Sequence, residues 1–450
     1  MITRYFKPVK STNSLKNNKT LITVIAALFF STTCYPAYSH NSANNTSLNR
    51  LIIFGDSLSD NGNTYALTRD LHESIDEIPI VPDPDYYWYG RFSDGPVWNE
   101  FLAGLLGLIS PERQTELRKS PNYLNYAYGG AWAESYQPDE DAWHTLPPSL
   151  EGQVDDYLDT AKLNQDDLSH DLVTIWMGGN DYLNQELTGV PIARELNIST
   201  QSVLNAMLEN LNKLYAAGVR HFLLLGLPDL GRVPNAVLHD PWQQNISPAL
   251  SQLSLLHNQK LFQLTQDFSR SHADTTIVYI DINQLFMHEF DDAEQRYEEA
   301  GASHQLTPQK ATHPCLLEAV DPDLSLMRAF PHNPILALSA QPKAKYSYTP
   351  RQSSIQASLT SYRHCDLHQT HDQASSLNYQ ENYLAGGIFF DHIHPLTPIH
   401  AKIALAVCQQ LLNAGVYFSG TNSEELAQKC QNDQLGNLLK HIEQAPFPMT

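Results

Sequence analysis

Basic residues are scarce in this 450-residue chain: 28 Lys and Arg stand against 49 Asp and Glu, for a formal net charge of -21. That deficit excludes a general nucleic-acid partner and removes any overall pull towards anionic lipid, so membrane contact must be local, apolar and transient. Long apolar runs are also missing. The longest, Leu21 to Phe30, falls well short of the roughly twenty residues needed to cross a bilayer. There is no Cys-x-x-Cys, which argues against a zinc knuckle, and no Gly-x-Ser-x-Gly, which leaves the α/β-hydrolase elbow without a nucleophile.

The apolar run follows Arg4, Lys7, Lys10, Lys16 and Lys19 with no acid among them, and precedes Ala37-Tyr38-Ser39. This is the pattern of a secretory leader, residues 1–39, with cleavage after Ser39. Removing five positive charges takes the net charge from -21 to -26. Thr33 before Cys34 is too large for a lipoprotein signal. The mature chain, 40–450, is expected to be secreted into the periplasm or beyond. It keeps Cys315, Cys365, Cys408 and Cys430, an even number that suggests two disulfides. Of three connectivities, Cys315 with Cys365 and Cys408 with Cys430 close the smaller loops.

Strand-like runs at Arg50 to Phe54, Asn125 to Tyr128, Leu172 to Trp176, His221 to Leu227, Thr276 to Ile280 and Ile388 to Phe390 alternate with helical periodicity. The clearest helices are Pro96 to Leu106, Thr200 to Ala217, Leu250 to Phe268 and Thr397 to Asn413. Alternation of this kind predicts an α/β sandwich with a largely parallel sheet and a site beyond the carboxyl ends of its strands. Residues 291–382, rich in His, Gln, Pro and Ser, break the rhythm and are expected to be an insertion in a single domain.

Four blocks at strand ends carry chemistry. Phe54-Gly55-Asp56-Ser57-Leu58-Ser59-Asp60 sets a serine beside a small glycine. Alone, it could equally be a turn serine capping a helix. Asn125-Tyr126-Ala127-Tyr128-Gly129-Gly130-Ala131 supplies paired glycines that let a backbone N–H approach a substrate oxygen, or that merely form a tight turn. Trp176-Met177-Gly178-Gly179-Asn180-Asp181-Tyr182 offers a side-chain amide, and Asp391-His392-Ile393-His394-Pro395 can set a carboxylate against an imidazole. His392 and His400 flank His394, but no nearby carboxylate and cysteine set gives a recognisable zinc spacing. Tyr86-Tyr87-Trp88-Tyr89 forms an aromatic cluster suited to lipid or to loop packing.

In this order, the blocks resemble those of the GDSL lipolytic family, the SGNH hydrolases. Within it the resemblance is to the bacterial phospholipase and glycerophospholipid:cholesterol acyltransferase group, supported by Gly90-Arg91-Phe92-Ser93-Asp94-Gly95-Pro96-Val97-Trp98 and Gly226-Leu227-Pro228-Asp229-Leu230-Gly231-Arg232. The resemblance covers about residues 49–415 without most of the insertion. It implies a flavodoxin-like three-layer sandwich on a mostly parallel five-stranded sheet, with a long disulfide-stapled insertion. It also implies Ser57 as nucleophile, His394 as base, Asp391 as its orienter, and an oxyanion hole from Ser57, Gly130 and Asn180. The substrate would be a phospholipid or lysophospholipid, with cholesterol as an acyl acceptor and no metal or organic cofactor. Relatives carry a disulfide-bounded loop that proteolysis can open, so the Cys315 to Cys365 segment would be a lid with an activating protease as partner. Two other readings compete: an exported esterase for acetylated glycans or short soluble esters, and a catalytically idle lipid-binding protein.

Overall fold

The computed structural model describes residues 38–39, 47–76, 78–109, 119–135, 147–183, 193–236, 246–300 and 388–440. The rest of the leader, Cys315, Cys365 and most of the 291–382 segment lie outside the described residues.

Nine strands are described: β1 (Tyr38–Ser39), β2 (Ser47–Leu48), β3 (Arg50–Gly55), β4 (Lys119–Ser120), β5 (Tyr123–Asn125), β6 (Asp171–Trp176), β7 (His221–Leu225), β8 (Thr276–Ile280) and β9 (Tyr417–Phe418). Ten helices accompany them: α1 (Asn63–Ser74), α2 (Trp98–Leu105), α3 (Leu150–Asn164), α4 (Gly179–Leu183), α5 (Ala193–Ala217), α6 (Ile246–Ser271), α7 (Ile282–Ala300), α8 (Thr397–Asn413), α9 (Ser423–Lys429) and α10 (Leu435–Lys440).

The main sheet runs β1-β8-β7-β6-β3-β5-β4, and its inner five strands are parallel. In chain order these five stand 2-1-3-4-5, the flavodoxin-like arrangement, whose strand order reverses between β3 and β6. Almost every residue of β3, β6 and β7 is buried, as helices on both faces require, and for that reason these strands read as continuous apolar runs. Helix α2 packs on α8, while α3, α5 and α6 form a second contiguous group.

Two-residue antiparallel strands extend the five-stranded sheet at each edge, β1 on β8 and β4 on β5. Cleavage after Ser39 would strip β1 away and leave β8 as the outer strand. The expected strand Ile388 to Phe390 does not join the sheet. Its Phe389 makes an isolated antiparallel bridge to Pro395, and Phe390 N–H donates to the His394 carbonyl at 2.7 Å, so the chain reverses on itself. Helix α7 continues without a break through Asp291 to Ala300, so the expected start of the insertion at 291 falls inside a helix. Cys408 of α8 is bonded to Cys430, which caps α9, one of the two expected pairs.

Candidate active site

The last residue of β3 is a glycine for want of space: a Cβ at Gly55 would lie 2.9 Å from both the Ser59 side chain and the Trp176 carbonyl. The strand end is fixed by Gln153, whose Oε1 accepts from Gly55 N–H at 3.0 Å and whose Nε2 donates to the Gly55 carbonyl at 2.9 Å. Immediately beyond, the chain turns. Ser59 and Asp60 N–H both return to the Asp56 carbonyl, at 3.0 and 2.9 Å, and Asp56 Oδ1 accepts from Leu58 N–H at 3.0 Å. This tight turn presents Ser57, 7% exposed, above the carboxyl edge of the sheet.

The turn at 391–394 comes from the far end of the chain. His394 Nε2 lies 2.8 Å from Ser57 Oγ, and His394 Nδ1 lies 2.6 Å from Asp391 Oδ2. Asp391 is 3% exposed, and its Oδ1 accepts from Ile393 N–H at 2.8 Å and His394 N–H at 2.7 Å. Burial pushes this carboxyl up, but the facing imidazole and the three donors outweigh it and hold it below the usual carboxylate range. An ionised carboxylate accepts only, so the Nδ1 proton points at Asp391 and the Nε2 lone pair at Ser57.

Asn180 meets the loop that carries Gly130. Asn180, at the start of α4, donates from Nδ2 to the Ala131 carbonyl at 2.9 Å, beside Gly130, whose φ of 77° suits a glycine. The preceding Gly129 N–H is already taken by Asp60 Oδ2 at 3.0 Å and Thr64 Oγ1 at 2.7 Å. Phe92 packs where a Gly129 side chain would stand. Residues Gly55 and Trp176 are register partners, so the Ser57 turn and the Asn180 block lie side by side where the strand order reverses.

Several residues that hold this arrangement went unnoticed in the sequence. Asp181 accepts Ala133 N–H and Glu134 N–H, both at 3.0 Å, tying the Asn180 block to the Gly130 loop; burial pushes its carboxyl up to about 7 against those two donors. Asp60 accepts from Gly62, Asn63, Thr64 and Gly129 N–H, binding the serine turn to the same loop. Asp94 Oδ1 receives Thr397 N–H and Oγ1–H, each at 2.8 Å, and Ser93 Oγ donates to the Pro395 carbonyl at 3.2 Å. The signal for Asp181 was its adjacency to Asn180 and that for Asp60 was the turn that follows it, whereas the contacts of Ser93, of Asp94 and of Asp60 with Gly129 join distant loops and leave no local spacing. Asp56, fully buried, is pushed up to about 6 by desolvation, against the Leu58 N–H and the charge of His394.

The flanking histidines have other places. His400 is wholly buried, its Nδ1 accepting from Trp98 N–H at 3.3 Å at the start of α2, and burial drives it down to about 3. The His392 carbonyl accepts from Asn235 N–H at 2.8 Å. In the aromatic cluster Tyr87 and Trp88 are interior, 5% and 1% exposed. Asp229 caps the short turn Leu230–Arg232, accepting from Gly231 N–H.

Comparison with known proteins adds ancestry to this geometry. The profile of the GDSL-like Lipase/Acylhydrolase family matches residues 51–407. A phosphatidylcholine-sterol acyltransferase of Aeromonas hydrophila is 28% identical over 369 residues, 79% of this chain and 88% of that one. Two GDSL esterase/lipases of Arabidopsis thaliana are 26% and 29% identical, covering 52% and 51% of this chain and 68% and 67% of theirs.

Proposed function

Since the chain belongs to the GDSL-like lipase/acylhydrolase family, we propose that it is an exported serine acylhydrolase of phospholipids and lysophospholipids that also passes acyl groups to a sterol hydroxyl. The observation that carries the proposal is the unbroken run from Asp391 through His394 to Ser57, at 2.6 and 2.8 Å. Ser57 attacks the ester carbonyl as His394 Nε2 takes its proton, and Asp391 stabilises the resulting imidazolium. The carbonyl electrons collapse onto oxygen, where Ser57 N–H, Gly130 N–H and the Asn180 amide receive them. His394 then protonates the departing lysolipid or glycerol alcohol, leaving an acyl-serine. Water or a lipid hydroxyl, deprotonated by the same imidazole, takes the acyl group away. None of these steps calls for a metal or organic cofactor.

Lipid as substrate is supported by the similarity to a protein named phosphatidylcholine-sterol acyltransferase. Export is supported by the leader pattern and by the Cys408–Cys430 disulfide, since such bonds persist in oxidising compartments. The test is product analysis by mass spectrometry. Purified mature protein is given phosphatidylcholine or lysophosphatidylcholine vesicles with and without cholesterol, an acetylated sugar, and a short nitrophenyl ester. Free fatty acid from both lipids, sterol ester when cholesterol is present, and no turnover by Ser57→Ala are the expected results. Turnover of the acetylated sugar alone would overturn the lipid assignment. A Ser57→Ala protein that still turns over would overturn the nucleophile.

A further inference from the structure

The aromatic cluster at residues 86–89 is not a surface feature at Tyr87. That ring lies edge-on to Phe390 at 5.3 Å and to Phe92 at 6.1 Å, and Phe92 in turn lies 5.1 Å from the His394 ring. Tyr87 is 5% exposed, and its hydroxyl donates to Asp391 Oδ2 at 2.7 Å. This is the same oxygen that receives His394 Nδ1–H.

A carboxylate has about four acceptor positions, two on each oxygen. In Asp391 all four are used: Ile393 N–H and His394 N–H on Oδ1, His394 Nδ1–H and Tyr87 Oη–H on Oδ2. Three of these donors belong to Asp391's own turn and come with its backbone conformation. The fourth comes from a loop about three hundred residues earlier, which also grips the turn through Ser93 on Pro395 and Asp94 on Thr397.

We infer that Tyr87 is a positioning residue of the triad: its hydroxyl orients the Asp391 carboxylate and draws charge from the oxygen that faces His394, so that it sets the basicity of the catalytic imidazole. Two donors on one oxygen divide its charge. Removing the phenol returns that charge to the contact with Nδ1, which favours the imidazolium and so protonates the base at higher pH. It also frees one side of a buried carboxylate, loosening the orientation on which proton transfer depends. The other titratable groups acting on His394, Asp56 and His400, belong to other elements and keep their places in a Tyr87 variant. The inference rests on the Ser57–His394–Asp391 reading above.

The experiment compares wild type, Tyr87→Phe, Tyr86→Phe and Ser57→Ala on a soluble nitrophenyl ester from pH 5 to 9. In Tyr87→Phe, which keeps the ring packing, kcat should fall about tenfold with KM little changed, the loss of one charge-assisted hydrogen bond. The acid limb of kcat/KM should move up by about half a pH unit. Replacement of Tyr87 by 3-fluorotyrosine, a stronger donor, should move that limb down instead. Tyr86→Phe should leave both parameters as they are. An acid limb that stays put in Tyr87→Phe, or that moves equally in Tyr86→Phe, overturns the inference whatever happens to kcat, since packing alone would then explain any loss. Turnover by Ser57→Ala, by contrast, would overturn the triad itself.

Discussion

Asp391→Asn replaces one oxygen by an NH2 group in a site where every acceptor position is used. The amide oxygen must take the Oδ1 position, because the Ile393 and His394 N–H groups that point there can only donate, whereas the imidazole and the Tyr87 hydroxyl that face Oδ2 can each present a lone pair instead. The new NH2 therefore falls at the Oδ2 position, 2.6 Å from His394 Nδ1. The imidazole can meet it only by presenting the Nδ1 lone pair, which moves the proton to Nε2. That nitrogen is 2.8 Å from Ser57 Oγ and can then donate to the proposed nucleophile but no longer accept its proton. Chemistry proceeds only through the rare tautomer. The same exchange in serine proteases costs about 10⁴ in kcat, on the order of 5 kcal/mol of transition-state stabilisation. Steady-state kcat on a nitrophenyl ester and the rate of inactivation by an organophosphonate should fall together, because both need the activated serine. A thermal midpoint close to wild type would separate this loss from misfolding. A folded Asp391→Asn protein within tenfold of wild-type kcat would refute the reasoning, since the Asp391 contact would then not govern the tautomer.

Two further outcomes follow from the other half of the site. Asn180→Ala should lower kcat by about 10² to 10³ with little change in KM, because the amide acts chiefly on the tetrahedral oxyanion; steady-state kinetics checks this, and a change confined to KM would count against that role. Asp181 is held up to about 7 by burial, whereas in an unfolded chain it titrates near about 4. Between those values the folded state binds a proton that the unfolded state releases, so this group makes stability fall as pH rises through that window. Urea unfolding at pH 5 and pH 7.5 should show a larger decline for wild type than for Asp181→Asn, and parallel declines would remove the effect.

The buried parallel strands were legible because each is a dense apolar run with helical periodicity on either side. β3, β6, β7 and β8 lie within two residues of where the pattern puts them. The edge strands were not legible, since two residues carry no period. The second strand was read too far along the chain, at Asn125 to Tyr128. Tyr126 and Tyr128 N–H do continue onto the Ile53 and Gly55 carbonyls, but Asn125 Oδ1 takes Ala127 N–H and turns the chain out of the sheet. Helix α1 escaped notice because the residues it buries include Thr64 and Thr68, and a threonine hydroxyl bonded back to the Thr64 carbonyl leaves no apolar stripe to count. Among the site residues, those proposed to act on a substrate sit in short motifs that can be read locally. Tyr87, Asp94 and Gln153 hold those motifs from elsewhere in the chain, and only folding brings them into contact.

That division has a physical basis in how the site is suspended. The serine turn and the Asn180 block grow from adjacent strands in fixed register, so their relation is set by the sheet ladder and reinforced by Asp60 and Asp181, buried carboxylates whose partners are mostly backbone N–H groups. The Asp391–His394 turn has no such ladder. Closed on itself by the bridge from Phe389 to Pro395, it joins the structure through the Asn235 N–H on the His392 carbonyl and the 87–97 segment that clasps it at Asp391, Pro395 and Thr397. The clasping segment is itself stiffened by the buried pair of Arg91 with Glu100, whose carboxylate also accepts Val97 N–H at the start of α2. The geometry of the proposed catalytic base thus depends on a loop that supplies neither the proposed nucleophile nor the proposed oxyanion donors. Damage to that loop should misplace the imidazole while leaving the serine turn and the Asn180 block, proposed to carry an oxyanion donor, where the sheet holds them.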